Sequence, residues 1–282
     1  MDRADHELVQ TGELPWEPDP GIPGFLRKLL NTDPASGAQT QIWFIPPGWG
    51  IDNLDGKPMR HYHRTVAERS LQLHGDFPHW EYSGPNQRVG DCVVKRKGFF
   101  MDRPPRCVHG LERGPASQTG VMTFYWSSGG GTGVESGGDE NVPVPFEGDL
   151  EAFGDDYTQV RYVDTTAMRW APHPAVAGWK HKELAPASAT REAVSLIFIP
   201  PGWRPDELPR RGPPGTARRW LYTVSGDTTL GIFAGTASKA ETVNLREGSY
   251  LVIPAGSAMG WSEPPESEIG VILLFVGHEV IV

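Results

Sequence analysis

The chain has 282 residues, of which 38% are hydrophobic and 22% charged, and its net charge is −9. The acidic balance disfavours nucleic-acid binding, which needs concentrated Lys and Arg, and the hydrophobic content excludes a largely disordered chain. No apolar run is long enough to cross a bilayer, the first residues do not resemble a secretory signal, and two cysteines, Cys92 and Cys107, are typical of a reducing compartment. We therefore expect a soluble, cytoplasmic protein.

Short runs of β-branched and aromatic residues, bounded by Gly, Pro or Asp, predict strands along the whole chain. The runs lie at 41–45, 69–74, 98–102, 121–126, 195–199, 220–224, 229–233, 250–253 and 271–275. The clearest helix candidate is short, at 25–30. With 34 Gly, 27 Pro and almost no helical periodicity, the sequence predicts an all-β sandwich or barrel.

The chain contains an internal repeat. The segment FIPPGW occurs at 44–49 and again at 198–203, an offset of 198 − 44 = 154. The same offset aligns pairs of identical residues: Val9 with Val163, Trp16 with Trp170, Gly24 with Gly178 and Lys28 with Lys182. Farther along, 71–76 aligns with 222–227 (222 − 71 = 151) and 98–104 with 248–254 (248 − 98 = 150). The loss of a few residues in loops explains why the offset falls along the chain. The sequence therefore predicts a duplicated domain.

The boundary between the copies is predicted by composition. Residues 128–145 are rich in Gly and Ser and poor in apolar side chains, which is typical of a flexible linker. We therefore predict an N-terminal domain over 1–127 and a C-terminal domain over 146–282. A long ordered surface loop is the alternative for the stretch between them.

Histidines in the first copy indicate a metal site. His61 and His63 are two positions apart, so in a strand both side chains leave the same face. Glu68 is placed to reach them from the neighbouring strand, and His109 from a remote segment that follows a Pro-Pro turn. Imidazole and carboxylate donors suit Fe(II), Mn(II), Ni(II) or Zn(II). A chance clustering of histidines is the alternative, and the joint spacing of both segments argues against it.

These two segments resemble the signatures of the cupin superfamily. His61-x-His63-x4-Glu68-x6-Gly75 is similar to the first signature, and Gly98-x5-Pro104-x4-His109 to the second. The resemblance implies an all-β bicupin, two tandem antiparallel jelly-roll β-barrels, in which His61, His63, Glu68 and His109 bind one divalent metal. In some cupins the glutamate does not ligate.

Two positions depart from the cupin pattern. Gly56 stands five rather than six residues before the first histidine, and Arg106 occupies a position usually held by Gly. The arginine is expected to alter the turn and to direct a cationic side chain toward the mouth of the pocket.

The second copy lacks the metal-binding residues. Carried over by the local offsets, the four ligand positions hold Gly212, Pro214, Arg219 and Met259. Turn and scaffold residues are retained at Gly226, Gly248, Pro254 and Gly256. We expect the C-terminal copy to be without a metal and to stabilise the pair, form a dimer surface or cap the first barrel. A separate apolar ligand pocket is the weaker alternative.

Strand alternation predicts which side chains surround the metal. Ser70 and Gln72 share the face of Glu68, and Cys107 shares the side of His109. An aromatic wall is expected from Trp43, Phe100, Phe124 and Trp126, with Arg106 at the mouth. His74 and the segment 79–82 are interpreted as surface or rim. No general base separate from the metal ligands is identifiable.

An apolar pocket around a three-histidine centre favours a small organic substrate. The start of each copy, V-x-T-x4-W-x-P, resembles the lead-in strand of anti-sigma-factor cupins and of small Fe(II) dioxygenases that cleave β-diketones or hydroxyacetophenones. The resemblance implies a mononuclear non-haem Fe(II) dioxygenase. The alternatives are a non-redox isomerase, lyase or hydrolase that uses Mn(II), Ni(II) or Zn(II), a non-catalytic ligand- or metal-sensing cupin, and a storage-type bicupin. Jelly-roll barrels often pair through exposed strands, so we expect a homodimer.

Overall fold

The computed structural model describes residues 6–54, 59–63, 65–83, 87, 89–112, 114–129, 160–188, 191–204, 206, 210–235, 239–261 and 267–278. Within these ranges the chain forms 21 strands, two 3-10 helices at Thr11–Glu13 and Ile51–Leu54, and no α-helix. The strands pair antiparallel. The all-β prediction is confirmed. Among the described residues, no helix is long and apolar enough to span a bilayer.

The chain folds into two compact units that are not consecutive halves of the sequence. The N-terminal unit comprises Pro15–Thr166, and the C-terminal unit comprises Ala167–Val282 together with Met1–Leu14. The predicted linker, 128–145, lies outside the described residues apart from its first two positions.

The N-terminal unit contains two sheets. Its strands are β2 (Glu17–Pro18), β3 (Leu26–Thr32), β4 (Gln39–Ile45), β5 (Met59–His61), β6 (Glu68–His74), β7 (Phe77–Glu81), β8 (Asp91–Lys95), β9 (Phe99–Arg103), β10 (His109–Leu111), β11 (Val121–Ser127) and β12 (Arg161–Asp164). The seven-stranded sheet has the order β12-β9-β6-β11-β4-β3-β2, and the four-stranded sheet the order β5-β10-β7-β8. The predicted metal ligands come from both sheets, since Glu68 begins β6 and His109 begins β10.

The C-terminal unit repeats this arrangement with one long strand common to both layers. Its strands are β1 (Glu7–Gln10), β13 (Ala171–Pro172), β14 (Lys180–Ala185), β15 (Ala193–Ile199), β16 (Arg210–Arg211), β17 (Arg219–Phe233), β18 (Glu241–Arg246), β19 (Ser249–Ile253), β20 (Ala258–Trp261) and β21 (Val271–Gly277). The main path runs β1-β19-β17-β21-β15-β14-β13, while β18 and β20 pair with the far end of β17 and β16 pairs with β20.

The first strand of each copy belongs to the other copy's sheet. β1 pairs with β19, with Gln10 opposite Ser249, and β12 pairs with β9, with Arg161 opposite Asp102. The two strands are equivalent in the repeat, because Val9 and Val163 are separated by the offset of 154. The duplicated copies have therefore exchanged their opening strands.

Residues aligned by the repeat make the same contacts in both units. Lys28 lies 4.7 Å from the ring of Trp16, and Lys182 lies 4.2 Å from the ring of Trp170. The FIPPGW tryptophan also repeats its role, because the indole nitrogen of Trp49 donates to the Pro23 carbonyl at 2.8 Å. The corresponding bond in the second copy joins Trp203 to the Ala177 carbonyl at 2.9 Å. These paired contacts support a duplication at the level of structure.

The strands predicted from sequence are present, with two differences. The helix predicted at 25–30 is wrong, because these residues lead into β3, where Lys28 and Leu30 are buried and Leu29 between them is exposed. This alternation has the period of a strand. The separate strands predicted at 220–224 and 229–233 are one strand, β17, whose pairing with β21 shifts register between Thr223 and Ser225.

Candidate metal centre

Three histidines converge in the N-terminal unit at the end of its four-stranded sheet. His61 ends β5, His63 follows two residues later, and His109 begins β10 directly opposite His61. One donor atom from each ring lies within 4.8 Å of the other two. The ring centroids are separated by 4.3 Å for His61 and His109, and by 5.1 Å for His61 and His63. Antiparallel pairing of β5 with β10 therefore brings the two sequence segments together.

The surroundings favour the neutral form of His61 and His109, as metal ligation requires. Burial lowers the pKa of His61 to about 3, with the neighbouring His63 adding to the effect. Burial and the nearby Arg103 charge lower the pKa of His109 well below its usual range. His109 Nδ1 lies 2.7 Å from the Cys107 carbonyl, so this nitrogen carries the proton and Nε2 offers its lone pair to the site.

The donor set fits a divalent first-row metal. Such an ion holds imidazole nitrogens at about 2.0–2.1 Å, and donor atoms within 4.8 Å of one another can surround it after small side-chain movements. His61 Nδ1 is buried and has no hydrogen-bond partner among the described residues. A buried polar nitrogen left in this way is costly unless another group satisfies it.

Glu68 lies beside the three histidines rather than within their group. Its carboxylate oxygens are 3.3 Å from His63 Nε2 and 3.3 Å from His109 Nε2. Both oxygens also accept hydrogen bonds, one from the Tyr125 hydroxyl at 2.7 Å and one from Arg103 Nη1 at 2.6 Å. Burial alone would raise the pKa of Glu68, but the two imidazoles and the Arg103 guanidinium outweigh it and hold the pKa well below its usual range. Its role as a ligand remains a prediction.

Arg103 connects Glu68 to a second buried carboxylate. Its Nη2 donates to Glu81, which also accepts a hydrogen bond from the Tyr162 hydroxyl and lies 3.2 Å from His79 Nδ1. Burial opposes ionisation of Glu81, but the Arg103 charge and the interaction with His79 together outweigh it and lower the pKa of Glu81 to about 2. One arginine thus holds two carboxylates ionised next to the histidines. Tyr162 reaches this network from the exchanged strand β12.

The histidines line a cavity together with both apolar and polar side chains. The apolar lining is Ile22, Phe25, Trp43, Ile45, Phe77 and Met101. The polar lining consists of Ser70, His79, Lys95, Arg103, Thr123 and Tyr125, together with the three histidines and Glu68. Trp43 stacks on Tyr125 with centroids 4.1 Å apart, which fixes both rings in the wall.

Some of the pocket residues predicted from sequence line the cavity, and others do not. Trp43 and Ser70 line the cavity. Gln72 shares their face of the sheet but is not among the lining residues, because its side chain is held by Thr123 Oγ1 at 2.8 Å and by the His74 carbonyl. Cys107 is buried with its sulfur 3.8 Å from the Pro105 carbonyl, and only its own carbonyl reaches the site.

On two strands, the residues that face the cavity are the sequence neighbours of the predicted aromatic residues. Phe100 and Phe124 are fully buried, and their ring centroids lie 6.1 and 5.8 Å from that of Trp126. These rings lie on the face of the sheet that turns away from the cavity. The cavity face of those strands carries Met101 and Tyr125 instead. Because side chains alternate along a strand, a shift of one position exchanges the two faces.

Arg106 is exposed and does not line the cavity. It adopts φ +66°, the one non-glycine residue with positive φ among the described residues. The turn predicted for a glycine is therefore present, and the arginine occupies it against the preference of an L-residue. The expectation that its side chain reaches the pocket mouth is not met.

The interpretation of 79–82 as surface or rim was wrong. His79, Trp80 and Tyr82 are buried, and His79 stacks on His109 at 5.3 Å. Sequence reasoning also missed Lys95 and Arg103. A signal was present, since Phe77, His79 and Glu81 alternate along one strand immediately after the Gly75 turn. The exposed side chain of His74 agrees with its prediction.

The C-terminal unit holds different side chains at the equivalent positions. Met259 packs in that unit's hydrophobic core, which also contains Trp179 and Trp261. Arg219, at the position of Glu68, is buried and donates from Nη2 to the Ser257 carbonyl at 2.6 Å. Large apolar side chains and a guanidinium thus occupy this part of the repeat.

Comparison with known proteins supports the fold. No family model and no curated relative matches the sequence. Among solved structures, HEPD of Streptomyces albus with 2-hydroxyethylphosphonate and Fe(II) bound has a TM-score of 0.64 and 11% identity, covering 98% of this chain and 76% of its own. A tryptophan-to-tyrosine variant of oxalate decarboxylase from Bacillus subtilis has a TM-score of 0.60 and 12% identity, covering 97% and 77%.

A third structure, protein Ylba of E. coli, matches over almost its full length. Its TM-score is 0.60 at 10% identity, with 100% of this chain and 96% of that chain covered. These structures are jelly-roll proteins of the cupin type, and the likeness extends over both units of this chain. The chain therefore has the cupin jelly-roll fold, with a three-histidine site in its N-terminal unit.

Proposed function

We propose that this protein is a bicupin enzyme that uses one divalent metal, held by His61, His63 and His109 in the N-terminal unit. The observation that carries the proposal is the convergence of three imidazoles, with donor atoms within 4.8 Å, on a cavity lined in part by apolar side chains. Three protein ligands leave coordination positions open for a substrate. Glu68 is either a fourth ligand or a carboxylate that adds negative charge beside the metal, 3.3 Å from His63 Nε2 and His109 Nε2.

The chain's own side chains prepare the site for chemistry. Arg103 and Tyr125 fix the two oxygens of Glu68, so that its negative charge stays directed at His63 and His109. The Cys107 carbonyl fixes the tautomer of His109. Trp43, Phe25 and Phe77 form a wall that excludes water and binds the apolar part of a substrate. A metal bound here would supply Lewis acidity and, if it is iron, the activation of O2.

The reaction we favour is dioxygenation of a small oxygenated substrate, such as a diketone or an aromatic ketone, by an Fe(II) enzyme. Both atoms of O2 would enter the two cleavage products, so no external reductant is required. The site's three histidines and the similarity to an Fe(II)-bound structure support this choice. A non-redox lyase, isomerase or hydrolase is the second candidate, and the similarity to oxalate decarboxylase favours a lyase within that class.

The first test is the metal content of the protein purified without chelators. About one metal per chain is expected in the wild type. It should be lost in His61→Ala and retained in His74→Ala, because His74 is an exposed histidine outside the site. Wild-type protein that binds no metal after reconstitution, or equal loss in both variants, would contradict the site.

The second test is oxygen uptake by the Fe(II)-loaded protein with a panel of diketones and aryl ketones. A dioxygenase should consume one O2 for each substrate cleaved and release no hydrogen peroxide. Product formation without oxygen uptake would favour the lyase, isomerase or hydrolase instead. The homodimer is a further proposal, tested by the mass of the protein in size-exclusion chromatography with light scattering.

A further inference from the structure

The cavity contains a buried amine that metal binding does not explain. Lys95 ends β8, is 5% exposed and lines the same cavity as the three histidines. It stands directly opposite Phe77 in the sheet, and its Nζ lies 4.5 Å from the centre of that ring. An ammonium over an aromatic face is stabilised only in part, and the nearby charges of Glu81 and Glu68 act on Lys95 without forming a direct ion pair with it.

The neighbouring carboxylates are already engaged. Glu68 and Glu81 both pair with Arg103. Across the described ranges, the Lys95 side chain makes no ion pair or hydrogen bond with another protein group. Burial, with the Arg103 charge adding to it, lowers the pKa of Lys95 to about 7. The amine is therefore available in the cavity to a ligand that brings its own acceptor.

Lys95 and the three histidines line one cavity and are linked by a chain of ring contacts. A row of rings separates them, with His109 and His79 centroids 5.3 Å apart, His79 and Phe77 5.4 Å apart, and the amine 4.5 Å beyond Phe77. The cavity lining also includes Ile22, Phe25 and Ile45, which offer no hydrogen bonds from their side chains. A ligand that contacts both Lys95 and the three histidines needs one polar group for each and an apolar part for these side chains.

We propose that the substrate of this cavity is an organic acid whose carboxylate pairs with Lys95 while an oxo or hydroxyl oxygen at its other end faces the three histidines. The second half of this inference rests on the proposed metal-dependent function, and the first half does not. A carboxylate would give the buried ammonium the charge-assisted hydrogen bonds that the protein leaves unmade. Neutral ketones of the same shape would leave Lys95 unsatisfied and would bind more weakly.

Calorimetric titration with matched probes tests the pairing. The probes are levulinate, its homologue one carbon longer, and the methyl ester of each. In the wild type we expect each acid to bind at least about tenfold more tightly than its ester. The preference should fall below about twofold in Lys95→Met and should persist in Lys97→Met, an exposed lysine two residues away. Equal binding of acid and ester by the wild type, or no binding of either acid, would overturn the inference, as would a preference that survives in Lys95→Met.

Two controls separate this result from other failures. Lys95→Met should fold, and its unfolding temperature should be higher than that of the wild type, because the substitution removes a buried charge. A loss of acid binding in this variant would then not be caused by unfolding. The same titrations on chelator-stripped protein should retain the acid preference. If the protein prefers acids to esters but binds no metal, the role of Lys95 is supported and the proposed metal-dependent function is contradicted. If it binds metal but shows no preference for the acids, the proposed function stands and the role of Lys95 is contradicted.

Discussion

Arg103 is the residue on which the electrostatics of the site depend, because it serves Glu68 and Glu81 at once. Buried ion pairs are not stabilising in themselves, since desolvation offsets much of the attraction. Removing one partner is different, because it leaves the other charges buried and unpaired. The structure has two carboxylates that depend on one guanidinium, so the effect of losing it should be large.

We expect Arg103→Met to lower the free energy of unfolding by about 3–5 kcal/mol. The measurement is chemical denaturation of the metal-free protein. Arg246→Met is the matched control, because Arg246 forms an exposed ion pair with Glu13 at 2.5 Å. Exposed pairs contribute at most about 1 kcal/mol. A loss in Arg103→Met no greater than that of the control would show that the buried network does not act as described.

Arg106 gives a second prediction, in the opposite direction. It occupies a left-handed turn at φ +66°, where the C-terminal unit has Gly256 at φ +81°. A left-handed L-residue costs about 1–2 kcal/mol relative to glycine, so Arg106→Gly should raise the free energy of unfolding by about 1 kcal/mol. Arg96→Gly, at an exposed residue without positive φ, should lower stability or leave it unchanged. Equal effects of both substitutions in thermal unfolding would refute the explanation.

The exchanged strands predict the effect of deleting the first ten residues. Deleting 1–10 removes β1 from the edge of β19 and leaves β9, which is covered by β12, intact. Hydrogen exchange in β19 should therefore accelerate at least about tenfold, while exchange in β9 stays as in the full chain. Equal acceleration in both strands, or none in β19, would show that the exchange of strands does not occur in solution.

The sequence predicted the strands well and the faces of some strands poorly. Runs such as 121–126 are bounded by turns and rich in β-branched and aromatic residues, so their position was clear. Their orientation was not, because apolar side chains lie on both faces: Phe124 packs behind the sheet and Tyr125 faces the cavity. Where one face is polar, as for His61 and His63, alternation places the side chains correctly.

Other features depend on contacts that no local pattern contains. Nothing near Tyr162 in the sequence shows that it joins Arg103 and Glu81, since β12 reaches them across the stretch from 130 to 159. The buried position of Lys95 is hidden for a related reason. Lysine at the end of a short strand normally indicates an exposed edge, and tertiary packing overrides that expectation here.

For the whole molecule, duplication has produced two similar units with different interiors. The repeated contacts of Trp49 and Trp203 maintain the fold in both. Only the N-terminal unit, within the described residues, gathers three potential metal-binding side chains. The contacts that stabilise the fold are thus common to both units, whereas the three-histidine group is found in the N-terminal unit.

This separation predicts that a metal stabilises one unit. The metal identified by elemental analysis, supplied at about a thousand times its dissociation constant, should add about 4 kcal/mol to the stability of the folded N-terminal unit. Hydrogen exchange should slow in β5 and β10 and remain unchanged in their counterparts β16 and β20. His61→Ala should abolish the effect. Equal protection of β16 and β20 would mean that the metal acts elsewhere.

The exchanged opening strand also has a consequence for the order in which the chain is completed during synthesis. β1 leaves the ribosome first, yet the Gln10–Ser249 contact joins residues 239 positions apart. The corresponding pair in the N-terminal unit, Asp102 and Arg161, is separated by only 161 − 102 = 59 residues. Closing the longer loop is slower and entropically more costly. The N-terminal unit can therefore complete its sheet before the C-terminal unit is synthesised, whereas β1 must wait for β19.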